Sequence, residues 1–147
     1  MTLDVKRILL VEDNANDVEL TLTALAENNF ANEIDVVRDG AEALDYLFRQ
    51  GKYSERNAQN PAVVLLDLKL PKIDGLEVLE KIKTDDKLKS VPVVMLTSSR
   101  EERDLVRSYD LGVNAYVVKP VEFQEFMDAL KELGFFWAVI NEPPPRN

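Results

Sequence analysis

Five residues at the ends of apolar runs hold the chemistry available to this chain. Glu12 and Asp13 follow Arg7–Val11, Asp67 follows Val63–Leu66, Thr97 follows Val91–Leu96, and Lys119 follows Ala115–Val118. Asp67 sets the sharpest question. Four aliphatics lead straight into it, a pattern of strands covered on both faces, and a carboxylate there is costly unless it is paired. If the run ends converge, three carboxylates meet a hydroxyl and an ammonium. Carboxylates held together repel one another and call for a cation, and an oxygen-only set with room for water suits Mg²⁺. Mg²⁺ and Lys119 would then offset the charge of Asp67, leaving it able to act as a nucleophile. Lys119 and Thr97 could bind the equatorial oxygens of an incoming phosphoryl group, and phosphoryl transfer asks little more of a protein than such positioning. The competing reading of Asp67 is structural, a salt bridge to Lys119.

Composition narrows the field. The chain has 147 residues, suited to one domain, and no His or Cys. That excludes imidazole triads, zinc-histidine sites, disulfides and thiolate chemistry. A formal net charge of −9 argues against duplex nucleic acid and against anionic membrane surfaces. No stretch is apolar for long enough to span a membrane, and Met1–Leu10 lacks a secretory pattern, which leads us to expect a cytoplasmic protein.

These groups converge only if the elements beneath them do. The apolar runs, with Ile34–Val37 as the second, alternate with stretches of helical spacing. These are Val18, Leu22 and Leu25; Leu44, Leu47 and Phe48; Leu76, Leu79 and Ile82; Leu105 and Tyr109; and Phe123, Phe126, Met127 and Leu130. Asp39, Asp74 and Ser99 each stand three residues before an acid, as helix caps do. Five β/α units predict an α/β fold, a doubly wound parallel sheet with helices on both faces and ligands at its carboxyl edge. Gln50–Asn60 is polar and aperiodic and reads as an extended surface loop. Gly134–Asn147 is aromatic, then Pro-rich, and no second domain is expected.

The motifs "ILLVEDN", "VVLLDLKLPKIDGLEVL", "VPVVMLTSS" and "NAYVVKP" resemble the receiver domain of two-component response regulators, the CheY-like, flavodoxin-like (βα)5 fold. The resemblance runs from about Val5 to Leu133, so the receiver is expected over 1–133, with 134–147 extending the last helix or packing on it. It implies strand order 2-1-3-4-5. Asp67 would accept phosphate from a sensor histidine kinase, while Glu12, Asp13, Asp67 and the Lys69 backbone carbonyl would hold Mg²⁺. Thr97 and Lys119 would bind the phosphoryl group, and Tyr116 would be the aromatic switch coupled to Thr97. The side chains of Lys69 and Ser99 would influence hydrolytic water.

"FANEIDVVRDGAEALDYLF", the insertion after it and the "FFW…PPP" ending look like the small receivers of cyanobacterial phytochromes, implying a phytochrome kinase as partner. The resemblance also implies output through the fourth helix, fifth strand and fifth helix, carrying Tyr109, Tyr116 and Phe123, and homodimerisation. Phe135–Trp137 either close the core or form an exposed patch. The output is a downstream target or a further phosphotransfer, and the only catalysis expected is of the chain's own phosphorylation and dephosphorylation. Two alternatives are weaker. A phosphorylation-independent binding module need not retain all five groups. A hydrolase working through an aspartyl phosphate needs an acid where Lys69 stands.

Overall fold

The computed structural model describes residues 7–27, 33–56, 59–98 and 101–119. The aliphatic runs are the strands β1 (Ile8–Val11), β2 (Ile34–Val37), β3 (Val63–Leu66), β4 (Val93–Thr97) and β5 (Ala115–Val118). They form one parallel sheet in the order β2-β1-β3-β4-β5, as the resemblance implied. Between them lie α1 (Ala15–Glu27), α2 (Gly40–Phe48), α3 (Gly75–Thr84) and α4 (Glu102–Asp110). The expected fifth helix, Pro120 and the Gly134–Asn147 tail lie outside the described residues.

Two strand ends differ from the sequence reading. Arg7 is not in β1, and its guanidinium instead pairs with Asp35 and Glu33 beside β2. β4 starts two residues late because the Val91 amide is used in a turn with the Leu88 carbonyl and Pro92 has no amide to donate. It also ends one residue later, so Thr97 is the last strand residue.

Side-chain alternation splits the core between the two faces of the sheet. Leu9, Val11, Val64, Leu66, Val93 and Met95 pack with Ala43 and Leu47 of α2 and with Val78, Leu79 and Ile82 of α3. Ile8, Leu10, Val63, Leu65, Val94 and Leu96 face the other way, against Val18, Leu22 and Leu25 of α1. Each fully buried aliphatic contributes about 1.5–3 kcal/mol over its exposed state, so both covered faces hold the strand ends in register.

Helix starts are fixed by side chains. Asp39 Oδ1 accepts from the Glu42 amide at 2.7 Å and Asp74 Oδ1 from the Glu77 amide at 3.0 Å, as the spacing suggested. Asn14 does the same for α1, accepting from the Asp17 amide at 3.0 Å. The residue preceding α4 is Glu101, and Ser99 lies outside the described residues.

The insertion is folded back rather than extended. Gly51–Tyr53 form a 3-10 turn, and the Tyr53 ring meets Tyr46 edge-on with centroids 5.2 Å apart. The Arg56 guanidinium lies 4.1 Å from the centre of the Tyr46 ring, and its Nε donates to the Tyr46 carbonyl. Two large side chains inside a polar string give the segment a surface to pack on, and polarity alone hid them.

Glu42 ties this loop to the start of α2. It accepts from the Arg38 amide and the Tyr53 hydroxyl and pairs with Lys52 at 2.9 Å. Burial raises the affinity of its carboxylate for a proton, but the Arg38 amide, Lys52 and Tyr53 outweigh that and lower its pKa from 4.5 to about 2. A depressed carboxylate stabilises the fold above its unfolded pKa, and that contribution is lost as pH falls through the folded value. We predict that Glu42→Gln is less stable than wild type at pH 6 in urea titrations, and that the gap closes between pH 4.5 and 2. A gap unchanged by acid would contradict this.

Candidate functional site

Sheet register brings the strand ends together. Val11 pairs with Leu66 across the β1–β3 boundary, so Glu12 and Asp67 emerge side by side. The Asp67 amide donates to the Val11 carbonyl at 3.1 Å, and the Glu12 amide to the Val37 carbonyl at 3.0 Å. On the other side Thr97 pairs with Val118, and the Lys119 amide donates to the Thr97 carbonyl at 2.8 Å. Thus β1, β3 and β5 deliver Glu12, Asp67 and Lys119 to one edge, with the fully buried Thr97 ending the strand between Asp67 and Lys119.

There the Lys119 ammonium meets three carboxylates. Its Nζ lies 2.5 Å from Glu12 Oε1, 2.8 Å from Asp17 Oδ2 and 3.1 Å from Asp67 Oδ2. The side chains of Lys119, Glu12 and Asp67 are 12%, 4% and 8% exposed, so the pairs are little screened, whereas Asp17 is 32% exposed and sits on the solvent side. Burial pushes the Glu12 carboxyl up to about 7; Lys119 opposes this, while the neighbouring Asp67 adds to it. Burial alone would lower the affinity of Lys119 for its proton, but Asp17, Glu12 and Asp67 hold it well above the ordinary lysine range. Lys119 is therefore an ammonium.

Glu12, Asp13 and Asp67 bring ligand-capable oxygens within 4.8 Å of one another, and Asp13 is exposed. Clustered hard oxygens with one side open to water fit a Mg²⁺-like cation that keeps part of its hydration shell. The backbone supports the same groups. Asn14 donates its amide to Glu12 Oε2 at 3.2 Å, and the Lys69 amide points to Asp67 Oδ1 at 3.3 Å, with the Lys69 side chain exposed. Arg38, after β2, donates from Nη2 to the Asp13 carbonyl at 3.0 Å and so joins the rim.

The loop after Asp67 is clamped by two glycines. A Cβ on Gly75 would lie 2.2 Å from the Asp67 carbonyl oxygen, and one on Gly40 would lie 1.9 Å from the Ile73 oxygen. The Gly75 amide donates to the Leu68 carbonyl at 2.9 Å, so the start of α3 closes directly over the segment that follows Asp67. A side chain at either position would displace that backbone.

The remaining expected residues are spread more widely. Tyr116 pairs with Met95 in the sheet and packs, partly buried, against the α2–α3 side of the core. Tyr109 is half exposed on α4, where Leu105 and Val106 are also exposed. Phe123 and Ser99 lie outside the described residues. The sequence reading missed Asp17 and Asn14, and it gave Arg38, at the end of the second strand, no definite part. Asn14-Ala-Asn-Asp17 has the same cap-then-acid spacing as the two Asp caps, which was the available signal.

The profile of the response regulator receiver domain matches residues 8–131. Response regulator Rcp1 of Synechocystis is 41% identical over 90% of this chain and 88% of its own length. Its Mn²⁺-bound crystal structure aligns with a TM-score of 0.76 over 95% of this chain and 99% of that one, at 38% identity. The bacteriophytochrome response regulator AtBRR is 64% identical with a TM-score of 0.86, covering 95% of this chain and 100% of that one. The phosphorylated cyanobacterial phytochrome response regulator RcpA is 46% identical with a TM-score of 0.76, over 90% and 94%. The likeness thus reaches bacteriophytochrome regulators as well as the cyanobacterial ones.

Lys119 and a divalent cation neutralise the same carboxylates, so removing one should favour the other. We predict that Lys119→Met destabilises the protein by about 3 kcal/mol in EDTA and binds Mn²⁺ more tightly than wild type, with Mn²⁺ restoring part of the stability. Calorimetry and chemical denaturation would check this, and weaker Mn²⁺ binding in the variant would contradict it.

Proposed function

This chain belongs to the response regulator receiver family and is related to the phytochrome response regulators, and from that premise we propose that Asp67 accepts a phosphoryl group from a phosphohistidine on a sensor histidine kinase. A carboxylate oxygen of Asp67 attacks phosphorus, the P–N bond breaks, and imidazole leaves with the bonding pair and takes up a proton. An acyl phosphate on Asp67 results. The observation that carries this reading is the ammonium of Lys119 set among Glu12, Asp17 and Asp67 at the edge of a buried strand.

Each residue has a definite part. Lys119 turns an N–H toward a phosphoryl oxygen, and the Thr97 hydroxyl donates to another. Glu12, Asp13, Asp67 and the Lys69 carbonyl are the groups that would hold Mg²⁺. The ion supplies charge neutralisation for the phosphoryl oxygens during transfer. Two relatives support the reading, since RcpA is known in a phosphorylated form and Rcp1 with Mn²⁺ bound. The chain does no chemistry beyond gaining and losing its own phosphate.

Signal leaves by a two-state shift in which Thr97 moves to the phosphate and Tyr116 turns into the vacated space. The output face is α4, β5 and the following helix, with Tyr109, Tyr116 and Phe123, and it also serves a homodimer. The exposed Leu105, Val106 and Tyr109 are consistent with a surface that a partner covers. The kinase is a phytochrome, the compartment is the cytoplasm, and the next step is a protein target or a further phosphotransfer. Among the described residues no helix is long and apolar enough to cross a membrane.

Incubation with acetyl phosphate and Mg²⁺ tests the assignment. Intact mass should rise by one phosphate in wild type and stay constant in Asp67→Asn or in EDTA. Phosphate retained by Asp67→Asn would move the acceptor elsewhere. We further propose that the exposed Lys69 side chain overhangs the phosphoryl group and slows its hydrolysis. Lys69→Ala should therefore lose phosphate about threefold faster, a modest effect on the scale of a single charged contact, and an equal or slower loss would count against that role.

A further inference from the structure

The Lys119 ammonium has three protons and three carboxylate neighbours, and one of them belongs to neither the acid cluster nor the acceptor. Asp17 comes from the first turn of α1, 2.8 Å from Nζ, closer than Asp67 at 3.1 Å. Its place is wired locally. Asn14 accepts from the Asp17 amide, and the Asn14 amide in turn donates to Glu12 Oε2. The segment from Glu12 to Asp17 therefore presents two carboxylates to Lys119 as one unit. Of the two, Glu12 lies in the cluster that suits a divalent cation, together with Asp13 and Asp67, and Asp17 does not.

We infer that Asp17 is a positioning residue that keeps Lys119 aimed at the acceptor once Glu12 and Asp67 are engaged by cation and phosphate. The inference rests on Asp67 being the phosphoryl acceptor. With Glu12 turned to the cation, Asp17 is the partner left to fix the ammonium, so that a remaining N–H points at the phosphoryl oxygen. A lysine on a four-carbon stem has many rotamers, and an ion pair on its solvent side removes most of them before the reaction starts. In the resting protein Asp17 shares the ammonium with Glu12 and Asp67.

Two substitutions separate holding from charge. Asp17→Asn keeps an acceptor oxygen for Nζ and removes the charge, whereas Asp17→Ala removes both. In the full chain with saturating Mg²⁺ and acetyl phosphate, the initial rate of Asp67 phosphorylation should fall about tenfold in Asp17→Ala and stay within about threefold of wild type in Asp17→Asn, as expected for a lost orienting contact. With Mn²⁺ as the sole ligand, Asp17→Ala should bind about threefold more weakly than wild type, because the ammonium then rests wholly on Glu12 and Asp67. Thermal melts would confirm that both variants are folded. Equal rates in all three proteins, or equal slowing in both variants, would overturn the inference. Wild type that takes no phosphate would instead overturn the acceptor assignment, and the Mn²⁺ arm would still decide whether Asp17 holds Lys119.

Discussion

One ammonium held among three carboxylates at the edge of a buried sheet is the interaction on which the site depends. Lys119, Glu12 and Asp67 are nearly covered, so the ammonium offsets carboxylate charge that would be costly to bury alone. The balance is incomplete, because Asp13 adds a further acid at the open side of the cluster. That surplus of negative charge invites a divalent ion, and Glu12, raised to about 7 chiefly by burial with Asp67 adding to it, shows what it costs to hold the cluster without one. An acid cluster in this condition is consistent with a divalent metal site.

Everything beneath it serves to bring those groups to one edge. The parallel order places β1 beside β3 and β4 between β3 and β5, and in-register pairs carry Glu12, Asp67, Thr97 and Lys119 to adjacent strand ends. Two aliphatic layers fix the register, and a one-residue slip would turn each apolar strand face the wrong way. The glycines at 40 and 75 let α2 and α3 close over the loop after Asp67, so Asp67 stands on closely packed backbone. Beside α2, Tyr46, Tyr53 and Arg56 pin the insertion.

Much of this was legible in the residues because it follows from local pattern. Unalternating aliphatic runs ending in Asp67 or Glu12-Asp13 told of strands covered on both faces, and Asp39 and Asp74 capped the helices they precede. Asp17 was not legible in the same way. Its cap spacing could be read, but its partner lies 102 residues away and meets it only through the β1-β3-β4-β5 order. Arg38 likewise reaches Asp13 by folding across the strand end. The insertion misled through its average polarity, since two side chains, Tyr53 and Arg56, decide its shape. The start of β4 misled because Val91 is as apolar as the strand it precedes, and only the turn to Leu88 removes it from the ladder.

The most direct test of the charge arrangement is an anomalous difference map from crystals grown with Mn²⁺. One strong peak is expected among the carboxylate oxygens of Glu12, Asp13 and Asp67, at about 2.1–2.3 Å from its ligands, with Lys119 still in contact with Asp17. A peak elsewhere, or none while Lys119 keeps all three carboxylates, would contradict it.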